Sequence, residues 1–122
     1  MKAAEPVAEA SQPEPPTAKA PDISIHDAAL ENLIEVIKLH LAAGTDVNAM
    51  DDHGWAPLHY AIENDRNELV ELLITNGADV NLKLEGSIAP LDFAIDFKLP
   101  EIADLLRNHG GKTGKELKAE GK

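Results

Sequence analysis

The sequence predicts an all-α fold in which pairs of helices stack on one another and are joined by hairpin-like loops. Two patterns and the composition point to it. Similar residues recur every 33 positions, and within each unit the apolar residues recur at helical spacing. Aromatic residues make up 3% of the chain while the apolar set reaches 43%, which favours closely packed aliphatic helices. A constant period of this size indicates a stacked-repeat architecture.

The period of 33 residues is visible without gaps in three places. It aligns the segments Ile25-His26-Asp27-Ala28, Leu58-His59-Tyr60-Ala61 and Leu91-Asp92-Phe93-Ala94. It also aligns Gly44 with Gly77 and Gly110. We therefore divide the chain into a leader, three repeats and a tail, with the boundaries 1–21, about 22–50, 51–83 and 84–111, and 112–122.

The elements follow in order along each repeat. The leader holds five of the eight prolines and almost no large aliphatic residue, so we expect a disordered tether. Pro57 and Pro90 stand where the first helix of a repeat begins, and Gly77 stands where a second helix ends. Polar segments containing Gly54 and Gly86 predict the loops between repeats. In the Lys-rich tail, a capping-box pattern predicts a short helix over 114–120.

Two ordered motifs resemble the ankyrin repeat. They are Asp52-x-Gly54-x-x-Pro57-Leu58-His59-x-Ala61 and Leu72-Leu73-Ile74-x-x-Gly77-Ala78-Asp79-Val80-Asn81. The resemblance covers roughly residues 22–111, and the segment from His109 to Leu117 is similar to the endings of bacterial ankyrin proteins. It implies an ankyrin-repeat solenoid. The family's usual glycine between the two helices is replaced by Asn32, Asp65 and Lys98, and we expect the Lys98 turn to be strained or different in shape.

Charge and composition exclude several classes of partner. Eleven Lys and Arg stand against 22 Asp and Glu, a net charge of −11 that repels phosphate backbones and anionic lipid surfaces. We therefore expect no nucleic acid and no membrane partner. No signal-peptide or membrane-spanning run is present, so we expect a soluble chain, cytoplasmic by default. The alternative is an exported protein whose signal peptide has been removed.

The residues that could carry chemistry have simpler structural interpretations. Gly111-Lys112-Thr113 resembles the end of a phosphate-binding loop, but Leu106 occupies the position where that loop needs glycine. His26 and His59 each have a carboxylate four residues away, yet both occupy the structural histidine position of the repeat. His40 replaces a leucine of the other repeats, so we expect it to be packed. We predict no enzyme activity, no cofactor and no metal site.

Binding is the function that the architecture favours. The resemblance implies that partners are bound by the loop tips and the exposed side of the first helices. In this sequence those candidate positions are Met50, Asp52, His53, Trp55, Glu63, Asn64, Glu85, Ile88, Asp96 and Phe97. Trp55, Ile88 and Phe97 would be apolar anchors surrounded by carboxylates, which suits a partner protein with a basic or mixed surface. The other interpretation is that Trp55 and Ile88 pack together to stiffen the loops.

Two functional hypotheses stay open at this point. The first is a non-catalytic protein-interaction module that binds one partner protein through this surface. The alternative is a structural or self-associating repeat protein without a dedicated partner site, since three repeats are close to the minimum for a stable stack. We expect a monomer in the first case and weak self-association in the second.

Overall fold

The computed structural model describes residues 21–84 and 88–121, which form seven helices and contain no strand. The elements, in chain order, are α1 (Ile25–Leu30), α2 (Ile34–Ala42), α3 (Pro57–Glu63), α4 (Asn67–Thr75), α5 (Pro90–Asp96), α6 (Pro100–Asn108) and α7 (Gly114–Ala119). The first six form three antiparallel-type pairs joined by short turns, and α7 follows the third pair. No helix in this described part of the chain is long and apolar enough to cross a bilayer.

The helices begin where the sequence supplies suitable starts. Proline occupies the first helical position of α3, α5 and α6, where a missing N–H breaks no helical hydrogen bond. Ser24 begins α1, and its hydroxyl accepts a hydrogen bond of 3.0 Å from the N–H of Asp27. These signals place the first helix of each repeat at the same point of the 33-residue period.

The turns inside the three helix pairs share one backbone conformation. Asn32, Asp65 and Lys98 have φ angles of +56°, +56° and +58°, in the left-handed region that glycine usually fills. The expectation of a differently shaped turn at Lys98 is therefore wrong. The other alternative, a strained turn at Lys98, stays a prediction. Asn and Asp tolerate the left-handed region because their short side chains can hydrogen-bond locally, and lysine lacks this possibility.

Small residues allow the first helices to stack closely. Ala28, Ala61 and Ala94 occupy equivalent positions and are fully buried. There α1 packs against α3, and α3 packs against α5. Larger aliphatic side chains such as Leu58 and Leu91 complete an uninterrupted core beneath them. This arrangement brings the loops that precede α3 and α5 side by side.

Two asparagines connect successive repeats. The amide of Asn48 donates to the carbonyl oxygen of Gly77 (3.1 Å) and accepts from the N–H of Asp79 (2.8 Å). Asn81 repeats the pattern with Gly110 (3.2 Å) and Lys112 (2.8 Å). Each asparagine therefore satisfies one carbonyl and one N–H at the end of the next second helix, where backbone groups lack helical partners.

The short helix α7 covers the last repeat. Its Leu117 is buried, while Thr113 and Glu116 form a reciprocal capping box with bonds of 3.1 Å and 2.9 Å to each other's N–H groups. The bond from the Thr113 N–H lowers the pKa of Glu116, so its carboxylate stays ionised and keeps the cap formed. The buried Leu117 and this cap both contribute to holding the six-residue helix in place.

Candidate functional site

Five aromatic rings form a row across the three repeats, and we call it the aromatic row. Its neighbouring ring centroids lie 5.0 to 6.4 Å apart, which is the range of favourable aromatic contacts. In spatial order the row consists of His26, Tyr60, Trp55, Phe93 and Phe97. These side chains come from α1, from the loop before α3, from α3, from the middle of α5 and from the residue that ends α5. The row therefore joins all three repeats on the loop and first-helix side.

Asp51 holds the loop that carries Trp55. One carboxylate oxygen accepts hydrogen bonds from the N–H of His53 (2.9 Å) and of Trp55 (3.0 Å). The backbone N–H of Asp51 donates to the carbonyl oxygen of Trp55 (2.9 Å), which closes the loop like a hairpin. The other carboxylate oxygen accepts a bond from the Tyr60 hydroxyl. One side chain thus fixes Trp55 and Tyr60 relative to each other.

The protonation states of this pair keep their hydrogen bond in place. Burial and the neighbouring Asp51 carboxylate raise the pKa of the Tyr60 hydroxyl well above its usual range. Burial of Asp51 acts to raise its pKa, but the bonds from Tyr60, Trp55 and His53 outweigh that effect and lower it. At neutral pH Asp51 is therefore an anion and Tyr60 a hydroxyl donor.

His59 lies beneath the aromatic row and has a structural role. Its Nδ1 accepts from the N–H of Ala56 (3.0 Å), and its Nε2 donates to the carbonyl oxygen of Leu82 (3.0 Å) in the following loop. Burial lowers its pKa, so the ring is neutral and can fill both roles. His26 likewise donates from Nε2 to the carbonyl oxygen of Ala49 (2.6 Å).

His40 is buried in the same structural manner. Its Nε2 donates to the carbonyl oxygen of Ile23 (2.6 Å) and its Nδ1 accepts from the Thr45 hydroxyl (2.9 Å). Within residues 21–84 and 88–121, no group of three or more His, Asp or Glu side chains is arranged to hold a metal ion. Each of these three histidines bonds at least one backbone group of another segment through its ring.

Two open clefts flank Trp55. The first, which we call the Tyr60 cleft, has a volume of about 280 Å³ and is lined by His53, Trp55, Tyr60 and Glu63. The second, which we call the Ile88 cleft, has a volume of about 330 Å³ and is lined by His53, Gly54, Trp55, Leu84, Ile88 and Phe93. The two clefts differ in the residues that line them: the first includes the carboxylate of Glu63, whereas the second includes the apolar side chains of Leu84, Ile88 and Phe93. Trp55 is the wall between them.

The structure places most of the predicted site residues on this side of the stack. Met50, Ile88 and Phe97 are exposed at 45%, 43% and 46%. The predicted polar positions Asp52, His53, Glu63 and Asp96 are exposed as well. Glu85 lies outside the described residues.

Two predicted residues are more enclosed than a freely projecting side chain. Trp55 is half-buried between Tyr60 and Phe93, at centroid distances of 5.0 and 5.4 Å. Asn64 is also half-buried, and its amide donates to the carbonyl oxygen of Tyr60 (2.8 Å) at the end of α3. Trp55 is therefore only partly accessible to a partner, and Asn64 serves to end a helix.

Asp51, Tyr60 and Phe93 are among the site residues that the sequence-based candidates did not include. A signal for Asp51 exists, because its bond to the N–H two residues on repeats the turn made by Asp46 with Asn48 and by Asp79 with Asn81. A signal for the two rings exists as well. Tyr60 and Phe93 are 33 residues apart, so the repeat puts both at one position of the first helix.

Comparison with known proteins identifies the repeats. A family model described as ankyrin repeats, in three copies, matches residues 25–116. Among curated relatives, the putative ankyrin repeat protein FPV233 of Fowlpox virus (strain NVSL) is 50% identical over 34 residues, 28% of this chain. Protein phosphatase 1 regulatory subunit 12A of Mus musculus is 48% identical over 44 residues, 36% of this chain. The matches span 7% and 4% of those two proteins.

Solved structures extend the likeness to most of the chain. The Legionella effector AnkH superimposes with a TM-score of 0.71 at 28% identity, covering 77% of this chain and 22% of that one. The ankyrin repeat domain of Bcl-3 gives a TM-score of 0.69 at 30% identity, covering 72% and 39%. The fold class predicted from the sequence is confirmed.

Proposed function

Because the chain belongs to the ankyrin repeat family, whose repeats are generally protein-interaction modules, we propose that it is a non-catalytic module that binds a partner protein through the aromatic row and the loop tips beside it. The observation that carries the proposal is the row itself. It joins three repeats and ends at the exposed Phe97, and two further exposed apolar side chains, Met50 and Ile88, lie in the loops that precede α3 and α5. A surface of this kind is typical of a binding site rather than of a solvated face.

The chemistry of the surface indicates how it would bind. Aromatic side chains contribute most at interfaces when they are already held in position, because little rotamer freedom is then lost on binding. Trp55 meets this condition through the bonds that Asp51 makes to its N–H and to the Tyr60 hydroxyl. The repeats at 22–111 hold 17 acidic and five basic side chains, so a partner with a basic or mixed surface fits best.

The relatives support the mode of binding and leave the partner open. Two of them are named as regulatory subunits of protein phosphatase 1, one from Mus musculus and one from Homo sapiens. The aligned 44 and 41 residues comprise little more than one repeat. A shared repeat supports a shared way of presenting loops and first helices, and the fold by itself names no partner.

A matched pair of variants tests the proposed surface. The partner is captured by cross-linking, purified, and its affinity measured by calorimetry. We expect Phe97→Ala to weaken binding roughly tenfold or more, as loss of an aromatic anchor does. Leu39→Ala is the control, because Leu39 is 51% exposed but lies on a second helix. Equal affinities for Phe97→Ala and wild type would contradict the proposed surface.

One observation favours self-association as a second function. Leu39 is exposed, whereas Leu72 and Leu105 at the equivalent positions of the next two repeats are partly buried against the core. An exposed stacking position at the first repeat could accept a second copy. Sedimentation velocity over a range of concentrations tests this function: a dimer that Leu39→Ser abolishes would support it, and a monomer throughout would remove it.

A further inference from the structure

The Tyr60 cleft differs in chemistry from the rest of the surface. Trp55 and Tyr60 form two of its walls, with ring centroids 5.0 Å apart and planes inclined at 46°. The inclination keeps the rings from stacking flat. His53 on the loop and Glu63 at the end of α3 complete the lining, and both residues are exposed to solvent.

The charge around this cleft is negative. Aromatic ring faces carry negative potential and attract cations that approach within about 6 Å of the centroid. The exposed carboxylate of Glu63 adds a formal charge to the lining. The Asp51 carboxylate accepts the Tyr60 hydroxyl bond, which increases electron density on that ring. Neither lysine nor arginine is among the four lining residues, so the lining holds no permanent positive charge.

Other occupants fit less well. An anionic group would be repelled by Glu63 and Asp51. A purely apolar group gains more from the neighbouring Ile88 cleft, where Leu84, Ile88 and Phe93 supply aliphatic and aromatic surface. Of the common protein side chains, only those that combine an apolar stem with a positive head satisfy both the rings and the carboxylate.

We propose that the Tyr60 cleft binds the cationic side chain of a lysine or arginine on the partner protein, held over the Trp55 and Tyr60 rings and paired with the Glu63 carboxylate. This assignment rests on the proposed function and names the chemistry that its partner presents. Asp51 acts as a positioning residue, because it touches the two ring-bearing segments rather than the cleft itself. A positively charged head in this position would also meet the excess of acidic residues on the repeats.

A pair of small probes tests the assignment directly. The full chain is titrated with Nα-acetyl-lysine methylamide and with its neutral counterpart Nα-acetyl-norleucine methylamide. Arginine and citrulline derivatives form the second pair. Trp55 is the only tryptophan and lines both clefts, so its emission and its indole N–H resonance report binding at either one. A preference for the charged probe that Glu63→Gln lowers assigns the binding to the Tyr60 cleft, because Glu63 lines that cleft and not the other. We expect the charged member of at least one pair to bind roughly five- to thirtyfold more tightly than the neutral one.

Variants then separate the groups that recognise the charge. Glu63→Gln should lower the preference for the cation, while Glu71→Gln, an equally exposed glutamate on α4, should leave it unchanged. Tyr60→Leu should abolish the preference, with circular dichroism confirming that the variant is folded. If Tyr60→Leu does not fold, the Glu63 and Glu71 pair decides the question.

Two results would overturn the assignment. The first is equal binding of charged and neutral probes, and the second is an equal effect of Glu63→Gln and Glu71→Gln. Either result leaves the proposed function standing if Phe97→Ala still weakens the complex with the purified partner. If Phe97→Ala binds the partner as tightly as wild type but the chain still prefers the charged probes, the proposed partner-binding surface is contradicted and the cation site in the Tyr60 cleft is supported.

Discussion

The carboxylate of Asp92 accepts a hydrogen bond of 2.7 Å from the backbone N–H of Gly114 and so fastens α7 to the third repeat. The same oxygen accepts from the N–H of Ala89 (2.9 Å) at the start of α5. One repeat earlier, His59 stands at this position and donates to a carbonyl oxygen of the following loop. A donor, His59, thus stands opposite a carbonyl oxygen in the second repeat, and an acceptor, Asp92, stands opposite an N–H group in the third.

Asp92→His should therefore release α7. The imidazole can still accept a hydrogen bond from the Ala89 N–H through one ring nitrogen. Its other ring nitrogen then carries a proton and faces the N–H of Gly114, so two donors meet and no bond forms. We expect the free energy of unfolding to fall by about 1.5–3 kcal/mol, the loss of a hydrogen bond to a charged group. Urea titrations followed by circular dichroism measure this change. Asp96→His, an exposed site on the same helix, is the control, and an equal loss at both positions would contradict the role of Asp92.

Acidification should destabilise the protein through His59. Burial lowers its pKa below the unfolded value of 6.5, so the unfolded chain binds more protons between these two values. The stabilising contribution is complete above pH 6.5 and is lost as the pH falls through the folded pKa. Urea midpoints between about pH 7.5 and about pH 5 should decrease accordingly. An NMR titration that showed the His59 ring protonating at or above 6.5 would contradict this prediction.

Lys98→Gly should stabilise the fold. Glycine adopts the left-handed conformation without the cost of about 1–2 kcal/mol that lysine incurs. Part of this gain is lost because glycine also increases the conformational entropy of the unfolded chain. We expect a net increase of about 1 kcal/mol in the free energy of unfolding. Asp65→Gly is the matched control at φ +56°, and its gain should be smaller because aspartate tolerates this conformation. Equal gains would show that Lys98 is not strained.

Tyr60→Phe should loosen the Trp55 loop without removing the ring. The substitution deletes the hydroxyl that donates to Asp51 and leaves the N–H bonds from His53 and Trp55 in place. Since the site is only partly buried, we expect a loss of about 1 kcal/mol and more efficient quenching of Trp55 emission by acrylamide. Asp52→Asn, on the adjacent exposed residue, serves as the control. Unchanged quenching in Tyr60→Phe would mean that Asp51 does not organise the loop.

The repeat architecture was predictable because it follows from local patterns. Pro57 and Pro90 begin the first helices of the second and third repeats, and the residues that follow them, Leu58 and Leu91, are buried in the core. The turn at Lys98 was only half predictable. Its residue type indicated strain, but the same packing on both sides imposed the same shape as at Asn32 and Asp65.

The site was less predictable because it depends on contacts through space. The sequence indicated Trp55 and Phe97 as anchors, yet the rings that join them, Tyr60 and Phe93, read as ordinary helix positions. The Tyr60 hydroxyl bonds Asp51, and the Phe93 ring contacts Trp55 and Phe97. The period of 33 residues places both rings at one helix position but does not encode these contacts. Asp92 is a further case, since its partner lies in α7, outside the repeats.

The asparagine connections have a consequence for the growth of the chain. Asn48 and Asn81 each bond one carbonyl and one N–H of the following repeat, at the same sequence separations. If a copy of residues 51–83 were inserted after position 83, Asn81 of the original would bond the copy, and the asparagine of the copy would bond the last repeat. Duplication in the middle of the protein therefore preserves every inter-repeat bond of this kind. A unit appended after the third repeat would instead displace α7 and bring a loop carbonyl against the Asp92 carboxylate. The stack can therefore gain repeats in its middle, whereas α7 and the Asp92 carboxylate oppose the addition of a repeat after the third one.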